Sequence, residues 1–391
     1  MDCGRKRICV VTATRAEYGL LRRVIWHILA DDGLELILAV TGSHLSEAYG
    51  LTVKEIEEDG FPIAERIEIL EGHSTESGIC QAMGNAAICF GEMYGRQKPD
   101  LVIVEGDRYE LLPICSSAMI YGIPIAHISG GEITEGAIDD VVRHCITKMS
   151  YLHFPGCEEY RKRIIQLGEA PERVFNFGDV GVENVRKMEY LPKAELEASM
   201  GMSLAKPYVS VTFHPVTLER GSAKRQTQEL VQALGAFPDF NFIVTMANAD
   251  LQGEEINQVF QDSARKQGNI FCYSSLGIKR YLSLIRYAEF VIGNSSSGIV
   301  EVPCFGIPTI NIGDRQKGRL RAESVIDCKP QSDAIKRCIE RAISPSFRKI
   351  AQEAKNPYGE GDTASSIVST IKSFLETEAI SQKKKFYDIE I

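Results

Sequence analysis

The segment Ile8-Cys-Val-Val-Thr-Ala-Thr-Arg-Ala-Glu-Tyr-Gly19 contains the pattern that indicates the fold. Its apolar run, residues 8–13, is short and rich in Val, as is typical of a strand buried on both faces of a sheet. The amphipathic segment that follows, residues 19–30, predicts a helix. The chain therefore opens with a β-strand that leads into an α-helix.

The same alternation of apolar runs and amphipathic segments continues through two halves of the chain. Repeated βα units predict parallel sheets with helices on both faces. The predicted strands are 8–13, 36–40, 101–104, 125–128, 151–154 and 174–177, then 208–213, 242–245, 270–273, 290–292, 309–312 and 324–326. We expect an α/β protein with two doubly wound, Rossmann-like domains and an interdomain cleft for the ligand. The N-terminal domain is predicted at 1–182, joined by a C-terminal helix at 363–378, and the C-terminal domain at 183–362.

The composition limits the kinds of partner that the protein can have. Its 391 residues include 44 Lys and Arg against 53 Asp and Glu, a formal net charge of −9. This balance argues against a nucleic-acid-binding surface, so an anionic ligand needs a few placed Arg side chains and helix N-termini. No apolar run approaches the roughly 20 residues that span a bilayer, so no membrane association is expected. The eleven Cys residues form no CxxC pair, which predicts reduced thiols in a cytoplasmic protein.

Several features that would indicate a cofactor or a basic binding tail are weak or missing. No GxGxxG follows the first predicted strand, and neither GxxxxGKS nor GxxxxGKT occurs anywhere. This argues against a bound nicotinamide dinucleotide and against a P-loop. We therefore expect no cofactor and no metal. The Lys run at residues 383–385 is interpreted as part of a solvated tail.

The segment Val291-Ile-Gly-Asn-Ser-Ser-Ser-Gly-Ile-Val-Glu301 is the clearest binding-site candidate of the second half. Ser295 and Ser296 would lie at a helix N-terminus, where free N–H groups and the helix dipole favour a phosphate. Simple N-capping is the alternative, although three serines and a glycine exceed what a cap needs. Arg315 follows the next predicted strand, as an anion ligand would, but taken alone it would be read as a surface residue.

Acidic residues follow successive predicted strands in the first half. Asp107, Glu132 and Asp139 come after two of these strands, and Arg143 lies one helical turn beyond Asp139. Closely packed carboxylates suit acid/base chemistry because proximity pushes their pKa values apart. The alternative is that Asp139 and Arg143 form only an i,i+4 pair on a helix surface.

Two further candidates lie at strand ends. Arg15 is in the loop after the first strand, from which its side chain could reach a phosphate. His214 precedes a proline at the carboxyl end of a predicted strand, a place that favours a functional side chain over a core one.

Together, these motifs resemble those of the hydrolysing UDP-N-acetylglucosamine 2-epimerases of bacterial sialic acid biosynthesis. The resemblance rests on TxxRAEYG, GDRxE, HIxGGE with DDxxRHxITKMS, HPxT, GNSSSGxxE and FGxPxINIGDRQKGR, from residue 12 to about residue 358, and on the ending at 386–388. It implies the GT-B architecture, a homodimer or homotetramer, and neither NAD nor metal. It also implies conversion of UDP-N-acetylglucosamine and water to N-acetylmannosamine and UDP, through anti-elimination to 2-acetamidoglucal.

The resemblance also assigns roles to the candidate residues. It implies that the residues contacting UDP are Arg15, Ser295, Ser296, Glu301 and Arg315, with Tyr281 near the uracil. It places Arg108 among the substrate-binding residues and the following around the sugar: Asp107, Glu132, Asp139, Arg143 and His214.

One position departs from the family pattern. Several relatives carry a Glu two residues after the motif histidine, where this chain has Ser129. A hydroxyl is no substitute for a carboxylate base at neutral pH, so Glu132 or Asp139 is left as the base, with Asp107 as its partner. The motifs also leave UDP-N,N'-diacetylbacillosamine open as the substrate. The other readings are a GT-B glycosyltransferase, a non-hydrolysing epimerase and a nucleotide-sugar sensor.

Overall fold

The structure is a computed structural model that describes residues 4–70, 75–219, 221–247, 252–359, 361–377 and 383–389. The chain divides into two compact units. The first consists of Met1–Glu132, Asp139–Asn184 and Tyr358–Ile391, and the second of Ile133–Ile138 and Val185–Pro357. This division differs from the expected boundaries because residues 133–138 join the second unit, whereas residues 183–184 and 358–362 join the first. Residue 378, the expected end of the last helix, lies outside the described residues.

The first unit contains one parallel sheet and the helices that cover it. Its strands are β1 (Lys6–Thr12), β2 (Leu34–Thr41), β3 (Ile63–Ile67), β4 (Leu101–Glu105), β5 (Ile125–Ile128) and β6 (Leu152–Phe154). Its helices are α1 (Arg15–Leu29), α2 (Val53–Glu58), α3 (Glu76–Gln97), α4 (Leu111–Ile120), α5 (Asp139–Met149), α6 (Glu158–Gln166) and the last helix, α15 (Thr363–Thr377). Helix α7 (Val180–Lys187) begins in the first unit and ends in the second.

The second unit repeats this plan. Its strands are β7 (Tyr208–Thr212), β8 (Asn241–Thr245), β9 (Ile270–Tyr273), β10 (Val291–Gly293), β11 (Thr309–Ile312) and β12 (Val325–Cys328). Its helices are α8 (Lys193–Met200), α9 (Ala223–Leu234), α10 (Gly253–Lys266), α11 (Gly277–Arg286), α12 (Ser297–Val300), α13 (Ser332–Ile343) and α14 (Pro345–Glu353). Among the described residues, no helix is long and apolar enough to cross a membrane.

Both sheets have the same strand order. The first runs β3-β2-β1-β4-β5-β6, and the second, read from its far edge, runs β9-β8-β7-β10-β11-β12. All the strand pairs are parallel. This is the doubly wound order in which the direction of winding reverses once, between β1 and β4 and between β7 and β10. The reversal opens a crevice at the carboxyl edge of each sheet, which is where ligands bind in such folds.

Strand β1 shows why the first sheet is covered on both faces. Side chains alternate along a strand, so Ile8 and Val10 face one way, and Cys9 and Val11 the other. Ile8 and Val10 pack in a core with residues of α1 and α15, whereas Cys9 and Val11 pack in a second core with residues of α3 and α4. The near-continuous apolar run is therefore explained by two cores, one on each face.

Two elements of the first sheet differ from expectation. Residues 174–177 do not form a strand: Val174 makes one isolated bridge to His153, and Phe175 and Phe177 stack on Phe154 with ring centroids 6.1 and 6.2 Å away. Aromatic packing partly buries Phe175 and Phe177, and the only pairing of this run among the described residues is the bridge at Val174 and a backbone hydrogen bond from Phe175 to His153 at 2.9 Å. Strand β3 was not predicted because it is an edge strand whose residues alternate between partly buried and exposed.

The interpretation of the Lys run at 383–385 as solvated is wrong for Lys384. Its ammonium group donates to the carbonyl oxygens of Lys148 and Ser150, at 2.8 and 2.6 Å, and to Glu169 Oε2 at 2.8 Å. Phe386 lies next to Gly168, and the ammonium group of Lys148 lies 4.7 Å from its ring centroid. Lys384 and Phe386 are therefore docked on the rest of the first unit.

Candidate active site

The crevice of the first sheet lies beside the loops that follow β1 and β4. Asp107 is in the second of these loops, and the guanidinium of Arg143 donates to its carboxylate. Arg143 also donates to the Glu132 carbonyl oxygen at 3.0 Å and to Asp140 Oδ1 at 3.5 Å. Its side chain is fully buried, so the interpretation of Arg143 as part of a helix-surface pair is wrong. A buried guanidinium needs several acceptors, and here they gather the loops after β4 and β5 around α5.

His127 holds the loop that carries Asp107. Its Nε2 lies 2.8 Å from the carbonyl oxygen of Gly106, and its Nδ1 lies 3.2 Å from Thr147 Oγ1. Burial lowers the pKa of His127 to about 3, so the ring is neutral at physiological pH. A neutral ring that donates from Nε2 accepts at Nδ1. His127 is thus a fixed support for the loop.

The other predicted residues of the first unit have distinct surroundings. Glu132 is buried, and Asp139 is half-buried as the first residue of α5. Arg108 donates to the buried carboxylate of Glu110 at 3.1 and 3.3 Å. Arg15, half-buried, is the first residue of α1. Arg108 therefore has a structural partner in addition to any ligand.

Glu17 occupies the helix start at which a phosphate would be expected after β1. Its carboxylate accepts from the backbone N–H groups of Ala13 and Thr14 at 2.7 and 2.9 Å. Burial, followed by the charge of Glu110, raises the pKa of Glu17 to about 8. In the first unit, therefore, the chain's own Glu17 is the hydrogen-bond acceptor for these two amides. The capping box of Thr14 and Glu17 is the sequence signal that could have identified this residue.

In the second unit, Asn294 joins the loops on the two sides of the crevice. Its side-chain amide accepts from the His214 N–H at 2.7 Å and donates to the His214 carbonyl at 2.8 Å. Its own carbonyl oxygen accepts from Arg315 Nη1 at 3.1 Å and from Gln316 Nε2 at 3.0 Å. Asn294 thus brings His214 and Arg315 together, a structural role that sequence reasoning missed.

Gly293 makes this arrangement possible. Its φ is +145°, and a Cβ at this position would lie 1.9 Å from the Thr212 carbonyl oxygen. Only glycine fits such a close approach of β10 to β7. The backbone can then carry Asn294 over the end of β7.

The serines after Asn294 open a helix that is shorter than expected. Helix α12 spans only Ser297–Val300, and Glu301 lies at its C-terminal end. Ser295 and Ser296 precede it and are half-buried. Tyr281 Oη donates to Ser297 Oγ at 2.9 Å, so Tyr281 does lie beside the serine segment. With one helical turn the dipole is small, and any phosphate contact must come mainly from hydroxyl groups, local N–H groups and Arg315.

The segment that separates Glu132 from Asp139 in the sequence packs on the loops that follow β7 and β11 in the second unit. The Glu135 N–H donates to the Lys317 carbonyl at 3.1 Å, and the Glu135 carboxylate pairs with the Lys317 ammonium at 2.8 Å. Gly136 accepts from the Leu218 N–H at 3.2 Å. A Cβ at Gly136 would lie 2.6 Å from the Asp314 carbonyl oxygen, so this close contact requires glycine. Within the described residues, no group of three or more His, Cys, Asp or Glu side chains could hold a metal ion.

Comparison with known proteins gives consistent matches over most of the chain. A family model described as UDP-N-acetylglucosamine 2-epimerase matches residues 27–372. The chain is 41% identical over 346 residues to the GDP/UDP-N,N'-diacetylbacillosamine 2-epimerase (hydrolyzing) of Campylobacter jejuni, covering 88% of this chain and 89% of that one. It is 40% identical over 385 residues to polysialic acid biosynthesis protein P7 of Escherichia coli, covering 98% of both chains.

A solved structure supports the fold. The UDP-GlcNAc 2-epimerase from Neisseria meningitidis bound to UDP-GlcNAc matches with a TM-score of 0.79 and 16% identity, covering 94% of this chain and 100% of that one. At this identity the likeness concerns the fold alone. The predicted α/β fold class, with two Rossmann-like domains of the GT-B type, is confirmed.

Proposed function

The chain belongs to the UDP-N-acetylglucosamine 2-epimerase family, and we propose that it is a hydrolysing member that converts UDP-N-acetylglucosamine and water to N-acetylmannosamine and UDP. Its relatives are named 2-epimerases, so the chain is an enzyme of that class. The product would enter the synthesis of nonulosonic (sialic) acids. The observation that carries the proposal is the buried Arg143, which gathers Asp107, Asp140 and the backbone of Glu132 at the carboxyl edge of the first sheet.

This cluster supports the first step of the proposed reaction. A carboxylate removes the proton at C2 of the sugar, and the electron pair of that C–H bond forms the C1–C2 double bond. The C1–O bond breaks, and UDP leaves with its electron pair. Asp107, Glu132 and Asp139 are the proposed acid/base groups, while Arg143 holds the charge of Asp107 in place.

The second step adds water to 2-acetamidoglucal. A proton is delivered to C2 on the face opposite to the one from which it was removed, and water oxygen bonds to C1 as it loses a proton to a base. The product is N-acetylmannosamine. His214 is proposed to contact the sugar during both steps.

The second unit is proposed to bind the UDP group. Ser295, Ser296 and Arg315 supply hydroxyl, N–H and guanidinium donors, and charge-assisted donors of this kind favour the diphosphate as it gains charge. Arg15, Arg108, Glu301 and Tyr281 are proposed to complete the nucleotide-sugar contacts. The bond of Tyr281 to Ser297 supports its place near this site.

The deciding experiment is incubation with UDP-N-acetylglucosamine in deuterated water, followed by NMR. Free N-acetylmannosamine with deuterium at C2, formed together with UDP, is the expected result. UDP-N-acetylmannosamine would instead identify a non-hydrolysing epimerase. Turnover only with an added acceptor sugar would identify a glycosyltransferase, and binding without turnover a sensor.

UDP-N,N'-diacetylbacillosamine is the second candidate substrate. The Campylobacter jejuni relative that is 41% identical carries that sugar in its name, and this observation favours it. The two sugars differ at C4 and C6, whereas the proposed chemistry occurs at C1 and C2. Side-by-side kcat/KM values for the two substrates would therefore decide between them without changing the mechanism.

A further inference from the structure

Glu105 is a buried carboxyl that the reaction proposed above does not use. It is the last residue of β4, beside the crevice of the first sheet and two residues before Asp107. Its exposed fraction is only 6%. In the sheet register it lies opposite Ile128, the last residue of β5.

Ser129 is the residue that links Glu105 to the departure from the family pattern. It follows β5 directly, with a φ of +63°, and its backbone N–H donates to the Phe154 carbonyl at 3.0 Å. The Ser129 side chain forms a hydrogen bond with the carboxyl group of Glu105. Several relatives, by the resemblance described above, have a Glu where this chain has Ser129. A carboxyl is therefore present beside this position after all, supplied by the neighbouring strand.

The surroundings of Glu105 favour the acid form of its side chain. Burial, followed by the charges of Glu17 and Asp107, raises the pKa of Glu105 well above its ordinary value. Asp179 acts in the same direction, and the hydrogen bond from Ser129 opposes it. A carboxyl whose pKa is raised holds its proton to higher pH than an ordinary glutamate does, which suits a proton donor, whereas the base of the first step must begin as a carboxylate.

We propose that Glu105 is the general acid of the hydration step and replaces the carboxyl that relatives carry at position 129. In this step the Glu105 O–H bond breaks and its proton bonds to C2 of 2-acetamidoglucal. The electron pair of the C1–C2 double bond forms the new C2–H bond, and water oxygen bonds to C1. The proton lost by water passes to a carboxylate base, and Glu105 regains its proton from solvent before the next turnover. The inference rests on the proposed hydrolysing reaction.

The test separates elimination from hydration in Glu105→Gln. We expect this variant to release UDP and free 2-acetamidoglucal, while formation of N-acetylmannosamine falls by about 10²–10⁴-fold, the usual contribution of a positioned acid. Direct addition of 2-acetamidoglucal with UDP should show the same loss. UDP affinity, measured by calorimetry, should be unchanged because the proposed nucleotide contacts lie mainly in the second unit.

Two variants make the test specific. Glu105→Gln combined with Ser129→Glu returns a carboxyl to the position used by relatives, and it should recover part of the hydration rate. Glu169→Gln is the control, because Glu169 is another buried carboxyl of the same unit and contacts His153, Lys148 and Lys384. Its ratio of 2-acetamidoglucal to N-acetylmannosamine should equal that of the wild type.

The possible results distinguish this inference from the proposed function. If the wild type forms neither UDP nor a sugar product from either candidate substrate, the proposed function fails and the inference fails with it. If the wild type is active and Glu105→Gln keeps the wild-type product ratio, Glu105 is not the acid, while the proposed function stands.

Ser129→Ala provides a second measurement if Glu105→Gln does not fold. Removing a hydrogen bond that lowers the pKa of Glu105 should move the alkaline limb of the hydration rate to higher pH. Glu17, Asp107 and Asp179 also face Glu105 and stay unchanged in this variant. An alkaline limb identical to that of the wild type would overturn the inference.

Discussion

The crevices of the two sheets have the same topology and different side chains. In the first, carboxyl groups lie in the first turn of α1, at the end of β4 and in the loop after β4, on Glu17, Glu105 and Asp107, and the guanidinium of Arg143 pairs with the last of these. In the second, the loops after β7 and β10 carry amide, hydroxyl and guanidinium groups, with Asn294 and Arg315 at the centre. The fold determines where a ligand can bind, whereas the side chains determine which part of it is bound.

The contrast also extends to the backbone amides at each crevice. After β1, the N–H groups of Ala13 and Thr14 donate to the carboxyl group of Glu17, so the first unit supplies its own acceptor for these amides. After β10, short serine side chains follow Asn294, and Arg315 bonds to its carbonyl oxygen. The two units therefore differ in the groups that the chain itself places beside the residues that follow the strand.

The largest expected effect is the loss of turnover in Asp107→Asn. This substitution keeps the size of the side chain and removes the charge that pairs with Arg143. We expect kcat to fall by about 10²–10⁴-fold, as for a positioned acid or base, while UDP affinity stays the same. Steady-state kinetics and UDP calorimetry would be compared. A parallel loss of UDP affinity would show that the two crevices do not have separate roles.

The alternation of apolar and amphipathic segments predicted most of the strands correctly because a buried parallel strand is a continuous apolar run. The same reasoning fails where burial has another cause. Phe175 and Phe177 stack on Phe154 but do not form a strand of the sheet. Strand β3 includes Glu65 and Arg66, so its run of apolar residues is broken. An apolar run in the sequence indicates that a segment is buried. It does not by itself show that the segment pairs with another strand.

The sequence predicted those candidate site residues that are recognised by their residue type and by their place after a strand. Asp107 and Arg315 were identified in this way, and the structure gives each of them partners at a crevice. Asn294 and Glu105 were missed because their importance depends on which loops lie side by side. A single sequence does not show that Asn294 bonds to the backbone of His214, eighty positions earlier.

Gly293→Ala should have the next largest effect, on the stability of the second unit. The added Cβ would lie 1.9 Å from the Thr212 carbonyl oxygen, so β10 would have to move away from β7. We expect the free energy of unfolding to fall by roughly 2–4 kcal/mol, as measured by urea denaturation. Gly268→Ala is the control, because a Cβ at Gly268 would meet nothing within 4 Å. Equal stability of the two variants would contradict the close approach of these strands.

Arg315→Ala should weaken UDP binding by about 1.5–3 kcal/mol, the contribution of a hydrogen bond to a charged group. Arg315→Lys should recover only part of the loss because an ammonium group lacks the planar fork of the guanidinium. Arg348→Ala serves as the control, since Arg348 pairs with Glu289. Calorimetry with UDP gives the affinities. Unchanged affinity in Arg315→Ala would place the phosphate contacts elsewhere.

The smallest expected effect is a change in the pH dependence of stability in Glu17→Gln. Glutamine keeps an oxygen that can accept from Ala13 and Thr14 but cannot titrate. The wild-type pKa of Glu17 is raised from 4.5 to about 8, so between these values the folded state holds a proton that the unfolded state has released. The free energy of unfolding of the wild type should therefore fall as pH rises through this window. One proton contributes up to about 1.4 kcal/mol per pH unit, and the glutamine variant should lack this contribution.

The measurement is urea denaturation at several pH values between about 6.5 and 8, above the unfolded-state pKa of histidine. Glu169→Gln supplies the opposite case for comparison. Burial disfavours the charge of Glu169, but its bonds to His153 and Lys148 outweigh this and lower its pKa to about 2. Its contribution to stability is therefore complete above pH 4.5 and is lost only in acid, so Glu169→Gln should leave the slope unchanged in this window. If Glu17→Gln also leaves the slope of the unfolding free energy against pH unchanged, Glu17 does not hold a proton in the folded state within this window. The two crevices would then not differ through the protonation of this side chain.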